Sequence, residues 1–169
     1  MEQVYKIKNS LRIPMVIAIL LSIPVFYDVF SKGIDRQHMV IVGILVLVFL
    51  IFALNNLLRK VCIFENSLSI FSIAGRKIIP FNEIASLDGI SLGRRQYISI
   101  THKKKTSLIP NSFKDFPKIL QTIKNTVPED KVGQGLKDIE SFPLSRTGDT
   151  IGAWITVIIL AAILATRLV

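Results

Sequence analysis

Long apolar runs stand near the two ends of this chain, and short interrupted ones fill its middle. The runs are Ile13 to Phe30, Met39 to Leu58 and Ile151 to Leu168. Each has roughly the length, about 18–20 residues, that a helix needs to cross some 30 Å of hydrocarbon. The pattern therefore predicts three transmembrane helices. Pro14 and Pro24 lie in the first run, where neighbouring helices can satisfy the freed backbone groups. A cleaved signal peptide is the rival reading of that run. No clear small-x-small cleavage site follows it, and a second apolar run comes soon after, so a retained helix is expected.

Between Arg59 and Val127 the period shortens. "VCIFE" and "SLSIFSI" flank Asn66 as a hairpin, and "KIIPF", "IASLDGI", "QYISITH" and "TSLIP" follow with polar turns between them. Short alternating segments bounded by Gly, Asn and charged residues read as antiparallel strands. Pro80 cannot donate a ladder bond and belongs at a strand end, an edge or a bulge. The period then changes again. Phe113, Phe116, Ile119, Leu120, Ile123 and Val127 form one stripe of an amphipathic helix, with Asn111 or Ser112 as N-cap and Pro117 in the first turn. Such a helix can close the open end of a curled sheet. The remainder, 128–150, is polar and carries Gly133, Gly135, Pro143 and Gly148. It reads as a linker with at most a helical turn at "LKDIESF".

Charge adds orientation. The formal net charge is +9, with 21 Lys+Arg against 12 Asp+Glu, in a chain that is half apolar. Basic and apolar together point to an integral membrane protein and away from a soluble nucleic-acid binder. Lys6, Lys8 and Arg12 precede the first run and Arg59 and Lys60 follow the second, while the loop between holds Lys32 and Arg36 beside Asp28 and Asp35. The positive-inside bias then places the N-terminus and the middle segment in the cytoplasm and the C-terminus outside. Asp28 reads as a residue reaching the outer headgroups rather than as an intramembrane carboxylate for transport. Ala161 and Ala165 have small-xxx-small spacing, which permits close helix packing.

The strand meander, the segment Ile79, Pro80, Phe81 and Ile84, the pair "ISITHKKKTSLIP" and a closing helix starting "NSFKDFPKIL" resemble the bacterial pleckstrin-homology-like (PH-like) domain of small membrane proteins. The resemblance covers Arg59 to Val127. It implies an α+β membrane protein: three transmembrane helices, with a curled antiparallel β-sandwich or barrel, capped by a C-terminal helix, inserted between helices two and three. The domain plan is then 1–58, 59–127, 128–150 and 151–169. The resemblance also implies a bacterial inner membrane, and it implies no reaction. The first hairpin loop, "ENS", lacks the basic cluster of phosphoinositide-binding relatives, so inositol-phosphate binding does not carry over.

Strand direction sorts the basic turns. In a simple meander that leaves the bilayer at Arg59, the residues Arg59, Lys60, Arg76, Lys77, Arg94 and Arg95 lie at the membrane end and face anionic lipid. His102, Lys103, Lys104 and Lys105 lie at the far end. They would form a docking patch for an acidic partner, although lysines at a hairpin tip more commonly just discourage edge pairing. No Gly-rich phosphate loop, HExxH, GxSxG or ligand-spaced His/Cys cluster occurs. No enzyme activity, cofactor or metal is expected, and Cys62 reads as a buried inert thiol. The functions left are a membrane-anchored module that recruits or regulates a protein partner, a sensor of anionic headgroups, or an accessory subunit of a transport complex. Protein partner and homo-oligomer are both open.

Overall fold

The structure is a computed structural model that describes residues 2–31, 36–142, 144 and 148–168. The expectations for Lys32 and for the side chains of Asp28, Arg36 and Arg167 lie outside the described residues. The chain divides into two compact units, Met1–Lys8 with Arg59–Thr147, and Asn9–Leu58 with Gly148–Val169.

The second unit is helical: α1 (Asn9–Ser31), α2 (Arg36–Leu58) and α5 (Gly148–Leu168). Here the expectation of three transmembrane helices is corrected. Among the described residues two stretches are long and apolar enough to cross a membrane, Asn9–Tyr27 and Gly148–Thr166. The apolar stretch of α2 among the described residues is Gly43–Leu58. Helix α1 packs against both α2 and α5. Ala18 and Ala53 are buried, whereas Ala161 and Ala165 are exposed, so the small-residue pair seen in the sequence is not an internal packing seam.

The first unit contains two antiparallel sheets. One has the order β1-β2-β3-β4, from Gln3–Lys6, Lys60–Ile63, Ser67–Ser72 and Gly75–Pro80. The other has the order β5-β6-β7, from Ile84–Leu92, Arg95–His102 and Lys105–Pro110. Val61, Ile63, Leu68, Ile70 and Ile79 fill the inner face of the first, and Leu87, Ile98, Ile100 and Ile109 that of the second; all are buried. Pro80 ends its strand, as its missing N–H requires. Helix α3 (Phe116–Lys124) has Pro117 in its first turn, and the stripe from Phe113 to Val127 is buried. Its N-cap is Asp115, held at φ 56°, rather than Asn111 or Ser112, both of which are buried before the helix begins.

Two parts of this unit differ from the sequence reading. Strand β1 precedes α1, so the β unit is not a simple insertion after α2. The register Lys6↔Lys60 and Val4↔Cys62 pairs residues on either side of the helix pair. The stretch expected to be a linker is folded as well: a 3-10 turn (Glu129–Lys131) leads into α4 (Gln134–Ser141), which packs on β5 with Leu136 and Ile139 buried. Glycine makes this possible. A Cβ on Gly89 would run into the carbonyl oxygen of Gly135, so the two backbones touch. Gly133 N–H donates to Leu87 C=O at 2.7 Å, and Val132 bridges Leu87 in parallel. Residues 132–136 thus cover the free edge of β5, an edge that would otherwise invite pairing with another chain.

Candidate functional site

The β unit has a basic end, and hydrogen bonds gather it. Lys8 N–H donates to Ser112 C=O at 3.0 Å, and Lys114 N–H to Lys6 C=O at 2.8 Å. Ile7 bridges Phe113. The Arg59 guanidinium donates to Leu108 C=O at 2.8 Å and lies 5.9 Å from the Phe113 ring centroid. Asn111 N–H donates to Gln96 C=O at 2.9 Å, and the Asn111 side chain donates to the carbonyls of Arg94 and Leu144. Gln96 is buried with both ends of its amide used: Nε2 donates to Phe142 C=O at 2.7 Å, and Oε1 accepts from Leu144 N–H at 2.9 Å.

These bonds hold three chain passages at one end of the unit: residues 6–8 just before α1, residues 59–60 just after α2, and Phe142 with Leu144 before α5. Around them stand Lys6, Lys8, Arg59, Lys60, Lys114, Arg94 and Arg95. Arg94 and Arg95 are exposed. Four of the six cations expected at the membrane end therefore start from this collar, although Lys60 lays its ammonium over the Phe71 ring as Arg76 does.

The other two are committed elsewhere. Residues 76 and 77 project to opposite faces of β4. Arg76 turns back over the outer face of its sheet, where its guanidinium donates to Ser69 Oγ and lies 5.2 Å from the Phe71 ring and 5.8 Å from the Phe64 ring. Lys60 covers the same Phe71 ring at 4.3 Å. These contacts are cation–π pairs that hold the charges against the sheet. Lys77 points inward and donates to Ser107 Oγ, linking the two sheets. Lys6, Lys8 and Lys114 were missed as collar members, because their place depends on β1 and on the turn after β7.

At the opposite end of β6, His102 pairs with Lys105, and Lys103 and Lys104 form the two-residue turn between them. Lys103 makes an ion pair with Glu83 at 3.0 Å. His102 does not belong to a surface patch. It is 6% exposed, and its Nδ1 has no hydrogen-bond partner. Burial holds its imidazole below the usual histidine range; Lys77, Lys103 and Lys105 push the same way, and Glu83 opposes them. Cys62 is buried, which raises its thiol above the ordinary value, so it is a poor nucleophile. Among the described residues no group of three His, Cys, Asp or Glu is placed to hold a metal ion. No family model matches this sequence, and neither a curated protein nor a solved structure matches it.

Proposed function

We propose that this chain is a membrane-attached PH-like binding module without catalytic activity, seated by its basic collar on an anionic membrane face, where it recruits or regulates a protein partner. The observation that supports it most is the gathering of three helix-bound chain passages and seven basic residues at one end of a β unit. Each such charge near an anionic leaflet contributes about 1 kcal/mol, falling off within a Debye length. The basic flanks of α1 and α2 favour a cytoplasmic N-terminus and β unit, on the inner face of a bacterial cytoplasmic membrane. The pairing of β1 with β2 keeps residues 3–6 and 60–63 together, on whichever side that is. The four-strand and three-strand sheets with a following helix agree with the PH-like resemblance.

The test uses the full chain in nanodiscs, with Cys62→Ser and a single reporter cysteine at Ser91 or at Thr106. Ser91 is exposed near the collar and Thr106 is exposed near the far end. The reading expects a headgroup-bound quencher to act on the Ser91 dye, more strongly in anionic than in neutral discs and less so at high salt, and to spare the Thr106 dye. Equal quenching at both sites, or none at Ser91, would refute the collar as the membrane-facing end.

A further inference from the structure

Among the described residues of the β unit, positive φ marks three turns and the N-cap of α3, Asp115. At two of the turns the residue is glycine: Gly75 at φ 117° and Gly93 at φ 58°. The third is the β6–β7 hairpin, where Lys103 (φ 45°) and Lys104 (φ 60°) both adopt it. A two-residue hairpin with positive φ at both central positions strongly prefers Asn-Gly. Left-handed backbone is unfavourable for a side chain with a Cβ, and lysine has no short polar group to compensate. Among the described residues the other positive-φ positions hold glycine or, at Asp115, an aspartate whose short polar group tolerates it, and lysine adopts this backbone only at this hairpin, where the result is three exposed lysines in succession.

The tip is also firmly based. Lys103 is tied to Glu83, His102 beneath it is buried, and Lys77 donates to Ser107. The ammonium groups of Lys104 and Lys105 are thus held out from a structured support. Distance decides what they can meet. Strand β6 runs from Arg95 at the collar to His102 at the tip. At about 3.3 Å per residue that is some 23 Å, well over a Debye length of about 8 Å. A membrane touching the collar is out of reach of the tip.

We infer that the Lys103–Lys105 hairpin tip is the docking site for an acidic segment of a protein partner, its backbone strain maintained to present ammonium groups on the side away from the lipid. This inference rests on the seating of the collar proposed above and names the partner's chemistry. Lysine ammonium groups are strongly hydrated point charges. They suit a run of aspartates and glutamates that adapts to them better than a single shaped pocket.

The experiment titrates the full chain, in neutral-lipid nanodiscs, with a fluorescent oligoglutamate peptide. The variant Lys103→Asn with Lys104→Gly restores the preferred turn. It is expected to raise the thermal midpoint of the β unit while weakening peptide binding about three- to fivefold, the upper range for losing one exposed ion pair, that of Lys104, since Lys103 is already paired with Glu83. The control, Lys118→Gln with Lys137→Gln, removes the same charge from exposed sites on α3 and α4 and is expected to leave binding within twofold, a range marked roughly by surface pairs of little value. Equal loss in the control would show that only net charge matters and would overturn the proposal. Undiminished binding in the hairpin variant would overturn it, as would displacement of the peptide by an RNA homopolymer at lower concentration than by free oligoglutamate. Failure of the collar reading is seen separately, because the dye-quenching experiment does not involve these lysines.

Discussion

The same aliphatic side chains meet opposite fates in the two units. In the β unit Ile79, Ile98, Ile100, Ile109, Ile119 and Ile123 are wholly buried. In the helical unit Ile41, Ile44, Ile155, Ile158 and Ile159 are half or more exposed. The β unit builds its own apolar interior from alternation and one helix stripe. The helical unit turns most of its apolar surface outward, and an exposed face on that scale calls for lipid or for other apolar partners. Residue type alone does not separate the two; the length of the apolar run does.

The contrast can be broken most sharply at matched isoleucines. Ile100→Ala should destabilise the β unit by about 2–5 kcal/mol through lost burial and a residual cavity. Ile158→Ala should cost less than about 0.5 kcal/mol in a bilayer, since lipid tails are as apolar as the side chain removed. Hydrogen exchange of the full chain in nanodiscs, read separately for β6 and α5, measures both; similar losses would erase the contrast. Gly89→Val drives a side chain into the Gly135 carbonyl. It should cost about 1–3 kcal/mol and speed exchange across residues 132–141 while leaving α5 unchanged. Gln96→Ala removes both bonds to residues 142 and 144. A loss of about 1 kcal/mol in chemical denaturation of the β unit is expected, because those backbone groups lie near enough to water to rehydrate.

The smallest effect is a pH dependence. His102 is held neutral in the folded unit, so the unfolded chain takes up its proton first as pH falls. The contribution of His102 is complete above the unfolded value of about 6.5 and is lost as pH drops from there toward the lower folded value. Denaturation midpoints should slope downward below that point in the wild type and lose that slope in His102→Gln. An unchanged slope would mean that other groups set the acid limit.

Much of the β unit was legible because its signals are local. Alternation around Ile98 and Ile100, the break at Pro80 and the stripe from Phe113 to Val127 each sit within one element. Strand β1 was not legible. "QVYK" is four residues long, and its partner lies on the far side of two helices, so no nearby pattern announces it. Residues 128–142 were misread because glycine carries two meanings. In sequence Gly133 and Gly135 look like loop punctuation, whereas in the structure they allow a close backbone approach to β5. For the basic site, strand parity sorted the ends of the meander, but it could not say which way a side chain leans. Arg76 and Lys77 belong to the collar end by position in the strand, yet one folds over Phe71 and the other reaches Ser107. The three-helix expectation is cut to two, since among the described residues Asn9–Tyr27 and Gly148–Thr166 are the stretches long and apolar enough to cross a membrane.

The pairing of β1 with β2 also sets an order of events during synthesis. Strand β1 leaves the ribosome first but has no partner until residues 60–63 follow, about fifty residues later, which at about 5–20 residues per second is several seconds. In that interval the helix pair must be made and delivered to its environment, and loop closure over that span adds its own entropic cost. If the two ends of the pair were left on opposite sides of a membrane, β1 could not reach β2, and the outer edge of β2 would stay bare. Completion of the first sheet therefore waits on the helix pair: β1 closes onto β2 only once residues 3–6 and 60–63 have been brought together across it.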